Sequence, residues 1–191
     1  MRLFVALEIP SSVRETLVSL LASMRAITKE PRWVRGENLH VTLQFLGEVA
    51  EANVDAVRNA LGEIRSDQAV ALEFRGLGFF PNETHPRVFW AGMEASPNLK
   101  TLAGDIERAM EKFGIPREKR EFSPHLTLAR FERPRLPEAL RKLIADNQPK
   151  DFGSLRTSEF HLIQSKLKPT GAEYTTLRSF CFAAEAGRAN A

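Results

Sequence analysis

Leu39-His40-Val41-Thr42-Leu43 and His125-Leu126-Thr127-Leu128 are nearly the same word written twice, with their histidines 85 positions apart. Each copy sets a histidine and a threonine two places apart inside an apolar run. Alternate side chains of an extended strand share a face, so His40 and Thr42 point one way and Val41 and Leu43 the other. His125 and Thr127 follow the same rule. The pattern predicts two strands, each offering an imidazole beside a hydroxyl, and its repetition predicts that both strands serve one site.

The offset extends outward from the two words. It lays Arg2-Leu3-Phe4-Val5-Ala6 on Arg87-Val88-Phe89-Trp90-Ala91, two strand-like runs sharing Arg, Phe and Ala, and it lays Ser11 on Ser96. Helical spacing follows each run, through Val13, Leu17, Leu20, Leu21 and Met24 in the first half and Leu99, Leu102, Ile106, Met110 and Phe113 in the second. Ser12 with Glu15 predicts a capping box, and Gly114 with Pro116 predicts a helix stop. After the motif strands, Val54, Val57, Leu61 and Ile64 predict one helix, and Leu140, Leu143 and Ile144 a shorter one behind Pro137. More strand follows over 70–80, 158–167 and 174–182, with a turn at Lys168-Pro169-Thr170-Gly171. Each half therefore reads strand, helix, motif strand, helix, strand.

Several landmarks at one offset favour duplication over the chance recurrence of short apolar words. The expected fold is α+β and bilobal, with two antiparallel-rich sheets related by a pseudo-twofold axis, helices outside, and a central cleft. On that axis the two motif strands lie side by side and their imidazoles face one another. No linker-like stretch divides the halves, about 1–86 and 87–182, so residues 1–191 read as a single two-lobed domain with a frayed tail over 183–191.

Composition narrows the classes of function. A formal charge of +3 and a pI near 9.2 suit an anionic substrate but fall short of a dedicated polyanion binder. The single cysteine, Cys181, rules out an intrachain disulfide. The apolar run at the start is too short for a secretory signal, and no stretch reaches membrane-spanning length. A cytoplasmic monomer without membrane association is the expectation.

Histidine, with an unperturbed pKa of about 6.5, sits neutral or protonated near physiological pH. Two facing imidazoles can divide proton transfer, one taking a proton from attacking water and the other giving one to the departing oxygen, an arrangement suited to in-line displacement at phosphorus. Thr42 and Thr127 can donate hydrogen bonds to non-bridging phosphoryl oxygens, where negative charge builds up. Arg130 adds permanent positive charge, but an odd number of steps from His125 points it to the opposite face, so its participation requires a bulge or the strand's end. Gln44, by the even-step rule, shares the face of His40 and is a candidate substrate contact.

A lone strand histidine with a threonine two places on is ordinarily a polar pair on a half-wet sheet, and it is the second copy that reverses that reading. His85 reads as a loop residue and His161 as a solvent-facing or hydrogen-bonded structural residue; neither has a duplicate. A zinc hydrolase is the chemical rival, yet there is no HExxH, no Cys pair and no carboxylate cluster beside either motif, so no metal is expected. Cys181, between Phe180 and Phe182, reads as a core or edge position. Nothing resembles a phosphate-cradling glycine loop, and no cofactor is expected.

These residues resemble the two-histidine phosphoesterases, and within them the bacterial and archaeal RNA 2',3'-cyclic phosphodiesterases, also named 2'-5' RNA ligases. The likeness runs almost end to end: Arg2-Leu3-Phe4-Val5-Ala6-Leu7, the first motif with Phe45-Leu46-Gly47, Phe80-Pro81-Asn82, Phe122-Ser123-Pro124-His125-Leu126-Thr127-Leu128-Ala129-Arg130, and Gly171 with Tyr174. The resemblance implies metal-independent opening of a terminal 2',3'-cyclic phosphate on RNA or a small nucleotide, leaving a 2'-phosphate. It implies His40 as the general acid at the departing 3' oxygen, His125 as the general base on water, Thr42 and Thr127 as phosphate-binding hydroxyls, and Arg130 as an arginine near the phosphate.

Two other readings share the site. One is an RNA-end binding module that holds the phosphate without turnover; the other runs the same chemistry backwards, joining ends through a 2'-5' linkage. Lys166, Lys168, Arg133 and Arg135 read mostly as solvated surface charge. Trp33, Phe45 and Phe80 are unranked candidates for stacking a base.

Overall fold

The computed structural model describes residues 1–118, 121–133, 135–169 and 171–183. Apart from Ala183, the tail expected to fray lies outside the described residues, as does Thr170 of the expected turn. The chain runs β1 (Arg2–Glu8), α1 (Ser11–Ile27), β2 (Arg32–Trp33), β3 (His40–Glu48), α2 (Val54–Gly62), β4 (Val70–Phe80), β5 (Val88–Ala95), α3 (Asn98–Glu111), β6 (Leu126–Arg130), α4 (Glu138–Asn147), β7 (Asp151–Thr157), β8 (Glu159–Lys168) and β9 (Gly171–Cys181). The strands form two antiparallel sheets, ordered β3-β1-β8-β9 and β2-β6-β5-β4-β7. This is the α+β architecture with two sheets that the sequence predicts.

The sheets are not built from one sequence half each. The last strand of the first half, β4, pairs with β5 and β7 of the second, while β8 pairs back onto β1 and carries β9 on its other side. The short link from Phe80 to Val88 makes β4 and β5 antiparallel neighbours, as consecutive strands usually are. Hydrophobic periodicity identifies a strand but carries no information about which sheet it joins. One buried cluster draws Leu3, Val5 and Leu7 of β1 together with Phe74 of β4, Phe89 of β5 and the apolar faces of all four helices. Burying that cluster is the main driving force that holds the sheets and helices as one body.

The β1 strand is apolar on both faces. Leu3, Val5 and Leu7 join the main core, while Phe4 and Ala6 join Ile163 in a smaller cluster on the opposite, cleft-facing side. The second sheet is equivalent, but with a register correction. Ala6 pairs with Thr42 and Trp90 with Thr127, so β1 maps onto β5 at an offset of 84, whereas the motif strands β3 and β6 keep 85. Phe89, aligned with Phe4 by sequence, therefore faces the main core; the counterpart of Phe4 is Val88, paired with Arg130, and that of Ala6 is Trp90. A one-residue slip turns every strand side chain to the other face, and strands apolar on both faces give no alternation by which to detect it.

The predicted capping box is also absent. Helix α1 begins two residues earlier than that box requires, at Ser11 with Pro10 as N-cap, and no side chain caps it; Ser12 lies within the first turn, its carbonyl accepting from Thr16 Oγ1 at 2.9 Å. The helix stop at Gly114 is present, with φ of 74° and Ile115 N bonded back to Met110 O at 3.4 Å. None of the described helices is long and apolar enough to cross a membrane.

Candidate active site

His40 opens β3, and His125 stands one residue before β6. The Nδ1–H of His40 donates to Asn38 O at 2.7 Å, and that of His125 donates to Ser123 O at 2.9 Å. A carbonyl can only accept, so each bond fixes the proton on Nδ1 and leaves Nε2 as the nitrogen available for chemistry. The two rings are held by the same device, the carbonyl two residues back, at the same 85-residue offset. Strands β3 and β6 pack against one another, and the charges of Arg130 and His125 both act on His40.

The environments of the two rings differ. Phe4 lies 4.7 Å from the His40 ring and Tyr174 stands edge-on at 5.4 Å, so burial is the largest influence on this imidazole and lowers its pKa from 6.5. The bond to Asn38 O works the other way, and Arg130 and His125 add to the lowering. Small Ala6, beside Thr42, leaves room on the sheet for the ring. His125 is half-buried, with Phe80 edge-on at 5.0 Å. Thr42 Oγ1 lies 3.0 Å from His40 Nε2, while Thr127 faces the cleft beside Trp90.

Each motif strand carries a bulge at the matching place. In β3, Leu43 is an extra residue between the Thr42–Ala6 and Gln44–Val5 pairs; in β6, Leu128 is extra between Thr127–Trp90 and Ala129–Phe89. A bulge shifts the alternation by one, which reverses two of the faces expected from ideal parity. Gln44 turns to the core side beside Val5, 6% exposed, with neither amide atom hydrogen-bonded, so it is not a cleft residue. Arg130 turns back to the face of Thr127, which removes the parity objection to its role. The first-half equivalent of Arg130 is Phe45, 59% exposed, 6.2 Å from Phe4 on the cleft face.

The stacking candidates separate likewise. Trp33 pairs with Ala129, packs on the core edge-on to Phe89 and donates Nε1–H to Thr28 O at 3.0 Å, so it is not in the cleft. Phe45 and Phe80 are. His161 is buried with Nδ1 2.9 Å from Ser179 Oγ, and His85 sits in the exposed β4–β5 loop. Cys181 is exposed on the edge strand β9. Among the described residues, no three His, Cys, Asp or Glu side chains gather as metal ligands would.

Two cleft residues carried no role in the reading of the residues themselves. Tyr174, on the β8–β9 hairpin, packs against both His40 and Phe4. Buried Asn38 links that hairpin to the histidine, since its backbone oxygen holds His40 while its Nδ2 donates to Ala172 O at 2.8 Å. The spacing of Gly171 and Tyr174 marked the hairpin within the resemblance; nothing local marks Asn38.

The LigT-like phosphoesterase family model matches residues 7–90 and 93–174. An RNA 2',3'-cyclic phosphodiesterase of Archaeoglobus fulgidus is 36% identical over 182 residues, 94% of this chain and 99% of the relative. Among solved structures, TT0787 of Thermus thermophilus matches with a TM-score of 0.80 at 33% identity, over 97% of this chain and all of that one. E. coli LigT complexed with 3'-AMP matches with a TM-score of 0.76 at 30% identity, over 95% of this chain and 97% of that one.

Proposed function

Because the chain belongs to the LigT-like phosphoesterases, we propose that it hydrolyses the terminal 2',3'-cyclic phosphate of RNA to a 2'-phosphomonoester, using His40 and His125 as acid and base. The observation that carries this reading is the paired Nδ1–carbonyl bond, which presents Nε2 of both rings for proton transfer.

In the forward step, water attacks phosphorus and gives its proton to His125 Nε2. The P–O3' bond breaks at the opposite apex, and O3' takes the proton from His40 Nε2. Thr42 and Thr127 donate to the non-bridging oxygens, and Arg130 offsets their charge. Each proton transfer is typically worth about 10² to 10⁴ in rate. Burial disfavours the imidazolium that His40 must become, and an anionic phosphate against its Nε2 favours it. The bound substrate thus charges its own acid. Turnover leaves His125 protonated and His40 neutral, and exchange with solvent resets both. With a 5' hydroxyl in place of water, the same groups join two ends through a 2'-5' linkage, a route that needs high concentrations of ends.

The test is product analysis on an oligonucleotide ending in 2',3'-cyclic phosphate, in excess chelator. A 2'-phosphomonoester is expected. A 3'-phosphate would reverse the leaving group and with it the placement of His40; saturable binding with no product would favour the binding module.

A further inference from the structure

Three donors share one cross-strand row on the cleft face of the β3-β1-β8-β9 sheet. Phe4 and Ala6 face the cleft along β1, and the two-residue period puts Arg2 on the same side. Leu3 pairs with Gln164, so Ser165 is the neighbour one step on, beside Arg2, and Ser165 pairs in turn with Tyr174. Among the described residues, the guanidinium of Arg2 and the hydroxyls of Ser165 and Tyr174 make no hydrogen bond, and Arg2 makes no ion pair. Glu48, across from Arg2 on β3, lies 3.4 Å from the Met1 amine instead. Tyr174 keeps its proton, since burial raises its pKa above 10.0 against the opposing charges of Arg130 and Arg2. A row of unpaired donors, one of them cationic, is a ready anion site.

Its place along the sheet says which anion. In-line displacement sets attacking water and departing O3' at opposite apices of phosphorus, so the ribose lies on the acid's side. With His40 as that acid, the terminal nucleoside rests on the β3-β1-β8-β9 sheet, and the chain must leave across it. Arg2 is four residues along β1 from Ala6, about 13 Å of strand. Phe4 and exposed Phe45 occupy the ground between.

We propose that Arg2, Ser165 and Tyr174 bind the phosphate on the 5' side of the terminal nucleoside, so that the enzyme reads a second phosphate besides the cyclic one. The substrates are then phosphate-extended RNA ends rather than bare cyclic nucleosides. This rests on the assignment of His40 to O3'.

The experiment compares kcat/KM for adenosine 2',3'-cyclic phosphate with and without a 5'-phosphate. Wild-type protein should prefer the 5'-phosphorylated form about tenfold or more. Arg2→Ala should bring the ratio within twofold, and Arg2→Lys and Ser165→Ala should give intermediate ratios. The ratio is internal to each preparation, so a variant that folds incompletely still reports. A wild-type ratio near one, or a preference kept by Arg2→Ala, overturns the site and leaves the phosphodiesterase standing. Failure to open either nucleotide or the cyclic-ended oligonucleotide overturns the phosphodiesterase and the second-phosphate site together.

Discussion

Gly78→Ala adds one methyl group on β4, and the structure says where it must go. Gly78 pairs with Trp90, whose indole lies flat over it; an added Cβ would stand inside 3.0 Å of Cζ2, Cη2 and Cε2 of that ring. At Cε2 the distance would be 2.8 Å, so reaching ordinary contact needs a retreat of about 0.6 Å there and more at the other two atoms. Retreat along β5 is blocked, because Gly92 already lies under the same ring, close enough that a Cβ there would be 3.2 Å from Cζ3. The remaining direction is toward Phe80, 5.3 Å from Trp90, and Phe80 stands 5.0 Å from the His125 ring.

Overpacking of this kind costs about 1–3 kcal/mol, and in a chain of this length each kcal/mol lowers Tm by about 2–4 °C. The displacement handed to His125 should lower kcat by about tenfold to a hundredfold. Gly104→Ala is the matched control, on α3 with nothing within 4 Å of the new Cβ, and it should gain about 0.5–1 kcal/mol. Thermal melts and hydrolysis of a cyclic-ended oligonucleotide read both variants. If Gly78→Ala kept wild-type Tm and kcat, or Gly104→Ala lost as much stability, the packing argument would be refuted.

His40→Ala and His125→Ala should each lower kcat by about 10² to 10⁴ while retaining the wild-type circular dichroism spectrum; near-normal turnover in either removes that ring from proton transfer. Tyr174→Ala opens one wall around His40 and should raise its depressed pKa toward 6.5. The acid form of His40 is lost as pH rises, so the alkaline limb of kcat/KM should move to higher pH, and a limb that stays or moves down contradicts the burial argument. Arg130→Ala should raise KM for every cyclic phosphate tested by about tenfold; an unchanged KM would return Arg130 to the solvent.

The fold and site were most legible in the sequence where information is local. A histidine and threonine two steps apart in an apolar run specify a strand and a shared face, and their repetition pointed to two strands that pack against one another. Helical spacing of Val13 through Met24 and of Leu99 through Met110 specified the core faces of α1 and α3, each of which is buried as read. Those signals depend on residues within a turn or a strand of one another.

Three features were decided by the tertiary structure. The bulges at Leu43 and Leu128 sent Gln44 into the core and brought Arg130 and Phe45 to the cleft, because a bulge forms where two strands must pair and not from either strand alone. The shift from 85 to 84 between motif and leading strands put Trp90 rather than Ala91 opposite Thr127, a distinction that apolar side chains on both faces cannot encode. The exchange of β4 and β8 between the sheets, and the Asn38 bridge from His40 to the β8–β9 hairpin 134 residues away, exist only once distant segments have packed. Local pattern fixes what each segment can be; pairing energy, summed over partners far apart in the chain, fixes which face of it meets the substrate.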